Sequence, residues 1–287
     1  MKVISYNDNG THGVGVMTDE TNFVSLSAAA PDLPNDLRAI LEIDPGLDKV
    51  RAAVDSKSAD MSIADVTFDP LIREPHASWA LALNYKLHIE ETGLTTSMEY
   101  PQIFLRMPIC QVGHGENLWA PRLDVAEAYD YEGELAVIIG KPGRHIPADS
   151  AFDYIAGYTI INEGSVRDWQ RRGTQNSPGK NFYRSGAIGP WMVTADEIAD
   201  TTALRIITRV DGEVRQDGGT DMMIFDIPYL IAHISTFTWL EPGDLIATGS
   251  PGGSAIEDPE PRWLRAGQQV EVEIAPIGVL ANPVRDE

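Results

Sequence analysis

Cysteine is almost missing from this 287-residue chain, with Cys110 standing alone. No intrachain disulfide can form, so nothing points to an oxidising compartment. A single free thiol reads first as a small core residue. Basic residues are scarce as well: 22 Lys and Arg face 43 Asp and Glu, for a formal net charge of −21. Nucleic acid and anionic membrane surfaces need a basic stripe that neutralises phosphates. The run "RRG" at Arg171–Gly173 is too short to be one, so no nucleic-acid or membrane partner is expected. Long apolar runs are lacking, and none approaches the ~20 residues of a membrane span. The opening "MKVISYNDNGTHGVG" has no apolar segment of the signal-peptide kind. A soluble, cytoplasmic protein is therefore expected. Internal repeats and low-complexity tracts are also missing.

What the chain has is enough apolar residue, 43%, to build a substantial core. Its surplus of carboxylates supplies hard oxygen ligands of the kind a divalent cation takes. Residues 1–70 read as a small α+β accessory domain. "KVISY" and "VGVMT" are short strands joined by the Asn/Gly-rich turn "NDNGTHG", and "NFVSL" is a third. "NDLRAILE" places Leu37, Ile40 and Leu41 at helical spacing, and "LDKVRAAVDSK" reads as a second helix. Residues 71–287 turn to strands: "WALALN", "IFLRM", "LAVIIG", "IAGYTIIN", "LRIITRVDGE", "DLIATGS" and "QQVEVEIAPIGVLANPV". "FDIPYLIAHISTF" is the clearest helix there, with Ile227, Leu230, Ile231 and Ile234 on one face. The fold class is α+β and dominated by β structure.

Four stretches could carry chemistry. In "YDYEGELAVIIG", Glu132 and Glu134 fall on one side of a strand, because side chains two apart point the same way. Like charges that close raise each other's pKa. The arrangement suits a solvated strand face, or a cation shared between them. Glu163 follows "GYTIIN", where a strand gives way to a helical turn, a place that fits a functional carboxylate or simple helix-dipole complementarity. In "LNYKLHIEETG", His88 and Glu91 are three apart, on one face of a helical turn. They read as an exposed pair, or as an imidazole oriented by a carboxylate to act as a base. Gly93 and "TTSMEY" after them suit a mobile loop. "GKNFYRSGAIGPW", with Lys180, and "LIATGSPGG" read as ordinary loops, or as a cationic group and a cradle of free backbone amides.

In this order and spacing, these stretches resemble the fumarylacetoacetate hydrolase family, together with "PQIFLRMP" and "MMIFDIPYLIAHISTFTW". The resemblance runs from Phe68 to Val284. It implies a mixed β-sandwich or β-roll catalytic domain that binds Mg2+ or Mn2+ (Ca2+ in some crystals) through Glu132, Glu134 and Glu163. It also implies a His88–Glu91 dyad in a lid, Lys180 as an oxyanion- or enolate-stabilising cation, and a "TGSPGG" loop holding the substrate. Substrate contacts are expected from Tyr85, Arg106, Tyr183, Thr248, Gly249 and Ser250. The implied activity is hydrolysis of a carbon–carbon bond in an acylpyruvate or related β-keto acid through a stabilised enolate. In that reaction His88 activates water while Glu91 holds the imidazole. Decarboxylation of an oxaloacetate-like acid, isomerisation and hydration use the same apparatus. A homodimer is the implied assembly.

Three positions depart from the family pattern. Glu163 stands where Asp is usual, and its extra methylene moves the carboxylate by about 1.5 Å. Arg106 replaces a Lys, keeping the charge but presenting a planar fork. Tyr183 stands near Lys180 where Asp is common. Together they point to a branch with its own substrate.

Overall fold

The computed structural model describes residues 1–85 and 99–287. Its first hairpin follows from one dipeptide. Asn9 and Gly10 both take left-handed backbone angles, φ 49° and 95°, as a two-residue turn of the primed type requires. The strands on either side, Lys2–Asp8 and Thr11–Met17, then pair from Val3 with Val16 to Asp8 with Thr11. Asn22–Ser25 and Met61–Ser62 add outward from them. On the other side, Lys2–Asp8 pairs with Gly186–Thr194. The N-terminal strands thus continue the same long sheet as the rest of the chain.

The centre of that sheet is Gly133–Ile139, flanked by Ile155–Asn162 and Leu245–Ala247. Its unbroken apolar run is explained by cover on both faces. Leu135, Val137 and Ile139 pack into one cluster with Ile206, Val272 and Ile274. Those residues come from a second, five-stranded sheet, ordered Glu213–Gly219, Arg205–Val210, Gln269–Ile274, Gly278–Asp286 and Leu118–Ala120. Ala136 and Ile138 point the opposite way, into a cluster with Leu37, Ile40, Leu41 and Val50. Each large apolar side chain so buried contributes about 1.5–3 kcal/mol. The chain is therefore β-dominated, as its sequence pattern predicts. The stretch "VEVEI" behaves as an alternating strand should: Val270, Val272 and Ile274 are buried and the residues between them half-buried.

The helices are short and capped where the sequence provides an acid. Asp36 accepts a hydrogen bond from Ala39 N at 3.0 Å and opens Leu37–Ile43. Asp226 does the same for Ile227–Phe237, accepting from Tyr229 N at 2.8 Å. That helix buries Ile227, Leu230, Ile231 and Ile234, the face expected from their spacing. No helix among the described residues is long and apolar enough to cross a membrane.

One buried carboxylate outside the site sets a pH effect. Asp244 accepts from Ala77 N at 2.8 Å and from Glu241 N at 2.9 Å, closing the turn before Leu245–Ala247. Burial outweighs both bonds and pushes its pKa up to about 6. The folded chain then holds this proton more tightly than the unfolded chain. The contribution is full below about pH 4 and is lost as pH rises through about 6. Asp244→Asn should flatten this part of the stability curve, by on the order of 2 kcal/mol. Urea unfolding of both proteins at pH 4, 5, 6 and 7 checks it: a constant difference between them would contradict it.

Candidate active site

Gly133 decides where the two neighbouring glutamates point. A Cβ there would come within 2.3 Å of Thr208 Oγ1 and 2.8 Å of Val272 Cγ1. The second sheet thus packs against bare backbone on that face. Glu132 and Glu134 lie on the opposite one, only 5% and 1% exposed. A solvated strand face is ruled out by that burial. Glu163 follows the adjacent strand, and its backbone N–H donates to Glu132 O at 2.8 Å. This clasp brings the third carboxylate beside the first.

The surroundings of the three acids differ. Glu132 Oε2 accepts from Ser165 Oγ at 2.6 Å and contacts Lys180 Nζ, and Arg167 Nη2 lies 2.9 Å from Oε1. Burial opposes its charge, but Arg167 and Lys180 prevail and hold the carboxyl well below the usual range. Glu134 has one fixed donor, Gly249 N, at 2.8 Å. Burial, followed by repulsion from Glu163 and Glu132, drives its carboxyl well above the usual range. Glu163 Oε2 is 2.5 Å from Lys180 Nζ. Its Oε1 accepts no hydrogen bond among the described residues, and Arg106 Nη1 stands 3.7 Å away.

Asp130 is a structural acid. It accepts from Arg167 Nε at 2.8 Å, Ala255 N at 2.9 Å, Ile256 N at 3.1 Å and Tyr131 N at 2.9 Å. Its lone pairs are spent, and it holds Arg167 in place for Glu132. Arg167 and Ser165 are the participants that sequence reasoning passed over. A signal existed: Asp130, Glu132 and Glu134 entering a core demand buried cations, and Arg167 follows Glu163 by only four residues.

Residues 77–285 match the family model described as fumarylacetoacetate (FAA) hydrolase C-terminal. The chain belongs to this fumarylacetoacetate hydrolase family. It is 38% identical over 225 residues to the oxaloacetate tautomerase YisK of Bacillus subtilis (strain 168), covering 78% of this chain and 74% of that one. It is 36% identical over 264 residues to the mitochondrial oxaloacetate tautomerase FAHD2A of Homo sapiens, covering 91% and 83%. The fumarylacetoacetate hydrolase of psychrophilic Exiguobacterium antarcticum superposes over 100% of both chains, with TM-score 0.85 and 28% identity. A maleylpyruvate hydrolase of Sphingobium sp. SYK-6, solved with manganese(II) and pyruvate, shares the fold at TM-score 0.80 and 24% identity, covering 100% of this chain and 99% of that one.

The remaining residues that the family pattern picks out fall in different places. Lys180, at the end of Ser177–Lys180, is 2% exposed and lines a cavity of about 370 Å³ with Glu132, Glu134 and Ser250. Thr248 is buried and donates to Leu135 O at 2.9 Å. Gly249, at φ +91°, could not carry a Cβ without approaching Asn84 Cβ to 2.8 Å. Ser250 Oγ accepts from Gln216 Nε2 at 2.7 Å. Tyr85 is fully buried, and Arg106 stands behind Glu163. Tyr183 is 47% exposed, edge-on to Trp119, and does not line the cavity. His88 and Glu91 lie outside the described residues.

Among the described residues, no group of three or more His, Cys, Asp or Glu is preformed to hold a metal ion. The Lys180 ammonium contacts both Glu132 and Glu163 instead. The donor set nevertheless fits a hard divalent cation, which takes carboxylate oxygens. Glu163 Oε1 is an unspent buried acceptor, and Glu134 has its charge suppressed by burial and then by its acidic neighbours.

Proposed function

We propose that this chain is a divalent-metal-dependent keto–enol tautomerase acting on a small β-keto dicarboxylate of the oxaloacetate type. The observation that carries the reading is the buried cluster of Glu132, Glu134 and Lys180 on the wall of one small cavity, with Glu163 joined to it through Lys180. The likeness to two proteins named as oxaloacetate tautomerases, over most of this chain, supports it.

Glu132, Glu134 and Glu163 would hold Mg2+ or Mn2+, whose Lewis acidity polarises a keto or enol oxygen when bound. The chain's own groups do the rest. Arg167 and Ser165 fix the orientation of Glu132. Tautomerisation from enol to keto moves one proton from oxygen to the neighbouring carbon. Lys180 Nζ lies on the cavity wall beside Glu132 and Glu163; it delivers a proton to that carbon and recovers one from the enol hydroxyl. No water molecule is consumed, and a buried site strengthens each electrostatic contact. Hydrolysis of an acylpyruvate would instead draw on the His88–Glu91 dyad that the resemblance implies.

The test is product analysis. With Mn2+-loaded protein, the near-ultraviolet absorbance of enol oxaloacetate should decay faster than in buffer. NMR should show keto oxaloacetate as the product, with an acylpyruvate left intact. Release of pyruvate in step with the decay would make the chain a decarboxylase. Cleavage of the acylpyruvate, slowed by His88→Ala, would make it a hydrolase.

A further inference from the structure

The run "RRG", too short to bind a polyanion, divides its two arginines between different tasks. The Arg172 guanidinium lies 3.8 Å over the ring of Trp169, whose indole N–H is tied to Val125 O at 3.1 Å. Arg171 is different. Its backbone N–H closes the helix Arg167–Gln170 by donating to Arg167 O at 3.2 Å. Its side chain lines the cavity that contains Glu132, Glu134 and Lys180. Positions 167, 170 and 171 share one face of a helical turn, and all three line this cavity.

Charge makes this placement informative. The chain carries 43 acidic residues against 22 basic ones, and Arg38, Arg51, Arg73, Arg122, Arg205 and Arg262 each pair with a carboxylate. Among the described residues Arg171 has no such partner, although it is exposed. Its polar neighbours on the wall, Gln102, Gln170 and Asn176, are neutral amides. Deeper in, Lys180, Arg167 and Arg106 are each engaged by Glu132 or Glu163, which leaves no free cation there for a second substrate carboxylate. A dianion approaching a protein of net charge −21 needs a local positive group to receive it.

We infer that Arg171 is the specificity residue that receives the distal carboxylate of a dicarboxylate keto acid at the cavity mouth. The inference rests on the tautomerase reading for its substrate class. An arginine fork matches a carboxylate oxygen pair, and a charge-assisted contact of this kind governs binding more than chemistry.

The test compares Mn2+-loaded wild type, Arg171→Ala and Arg171→Lys on oxaloacetate and on 2-oxobutanoate, in which a methyl group replaces the distal carboxylate. Enol decay reads the first acid, and deuterium exchange at C3 the second. Arg171→Ala should raise KM for oxaloacetate roughly 10- to 100-fold, with kcat within about twofold. KM for 2-oxobutanoate should stay within about twofold, and Arg171→Lys should recover part of the loss. Equal losses on both acids, or an unchanged KM for oxaloacetate, would overturn the inference. If wild type turns over neither acid, the tautomerase reading fails. Calorimetry with succinate against acetate then decides the inference separately: it stands if Arg171→Ala weakens succinate binding alone, and it falls otherwise.

Discussion

Glu132→Ala should abolish divalent-metal binding and turnover together, and destabilise the metal-free protein by about 3–5 kcal/mol. The double effect follows from what this carboxylate holds. Arg167, Lys180 and Ser165 all converge on it, and it is 5% exposed. Removing it leaves Glu163 as the one carboxylate on the Lys180 ammonium and Asp130 as the one carboxylate on the Arg167 guanidinium, all buried. An uncompensated buried cation costs more than the pair contributes. Glu132→Gln keeps the shape and the Ser165 contact, so it should lose metal while losing less stability. Calorimetric titration with Mn2+ and urea unfolding of both variants separate the two effects. Metal affinity unchanged in Glu132→Ala would show that Glu132 is not a ligand.

Lys180→Met should lower turnover by about 10²–10⁴-fold, the range for losing a positioned proton-transfer group. It should act in the opposite direction on metal. The ammonium contacts Glu132 and Glu163, where a cation would have to sit. Without it the metal-free protein places two buried carboxylates against each other, and its melting temperature should fall. A divalent ion then meets no competing positive charge, so Mn2+ affinity should rise by at least about tenfold. Loss of activity with tighter metal binding is a signature that general misfolding does not produce. Weaker metal binding in Lys180→Met would contradict the arrangement.

The sequence made legible those features whose cause is local. The Asn9–Gly10 turn, the helical spacing of Leu37, Ile40 and Leu41, and the alternation in "VEVEI" are each set by neighbours a few residues away, and each is found in the fold. The spacing of Glu132 and Glu134 gave their shared direction, but that the second sheet presses on bare backbone at Gly133 shows only in the fold. Pairings that span dozens of residues were not legible. Asp130 meets Arg167 from 37 residues away, and Lys180 reaches Glu132 from 48. Such contacts depend on how the sheet and two four-residue helices close on one another. Tyr183 shows the same limit: its place near Lys180 in the chain says nothing about direction, and its ring lies against Trp119. Glu163, one methylene longer than the family's usual acid, keeps one oxygen on Lys180 and leaves the other without a hydrogen bond among the described residues.

The position taken by a divalent ion is the most direct test of this site. Crystals soaked in Mn2+ and measured for anomalous scattering should show one strong peak bounded by carboxylate oxygens of Glu132, Glu134 and Glu163. Lys180 Nζ should have moved off the Glu132–Glu163 pair. A peak elsewhere, or a site at saturating Mn2+ in which Lys180 still bridges the two glutamates with no ion between them, would contradict it.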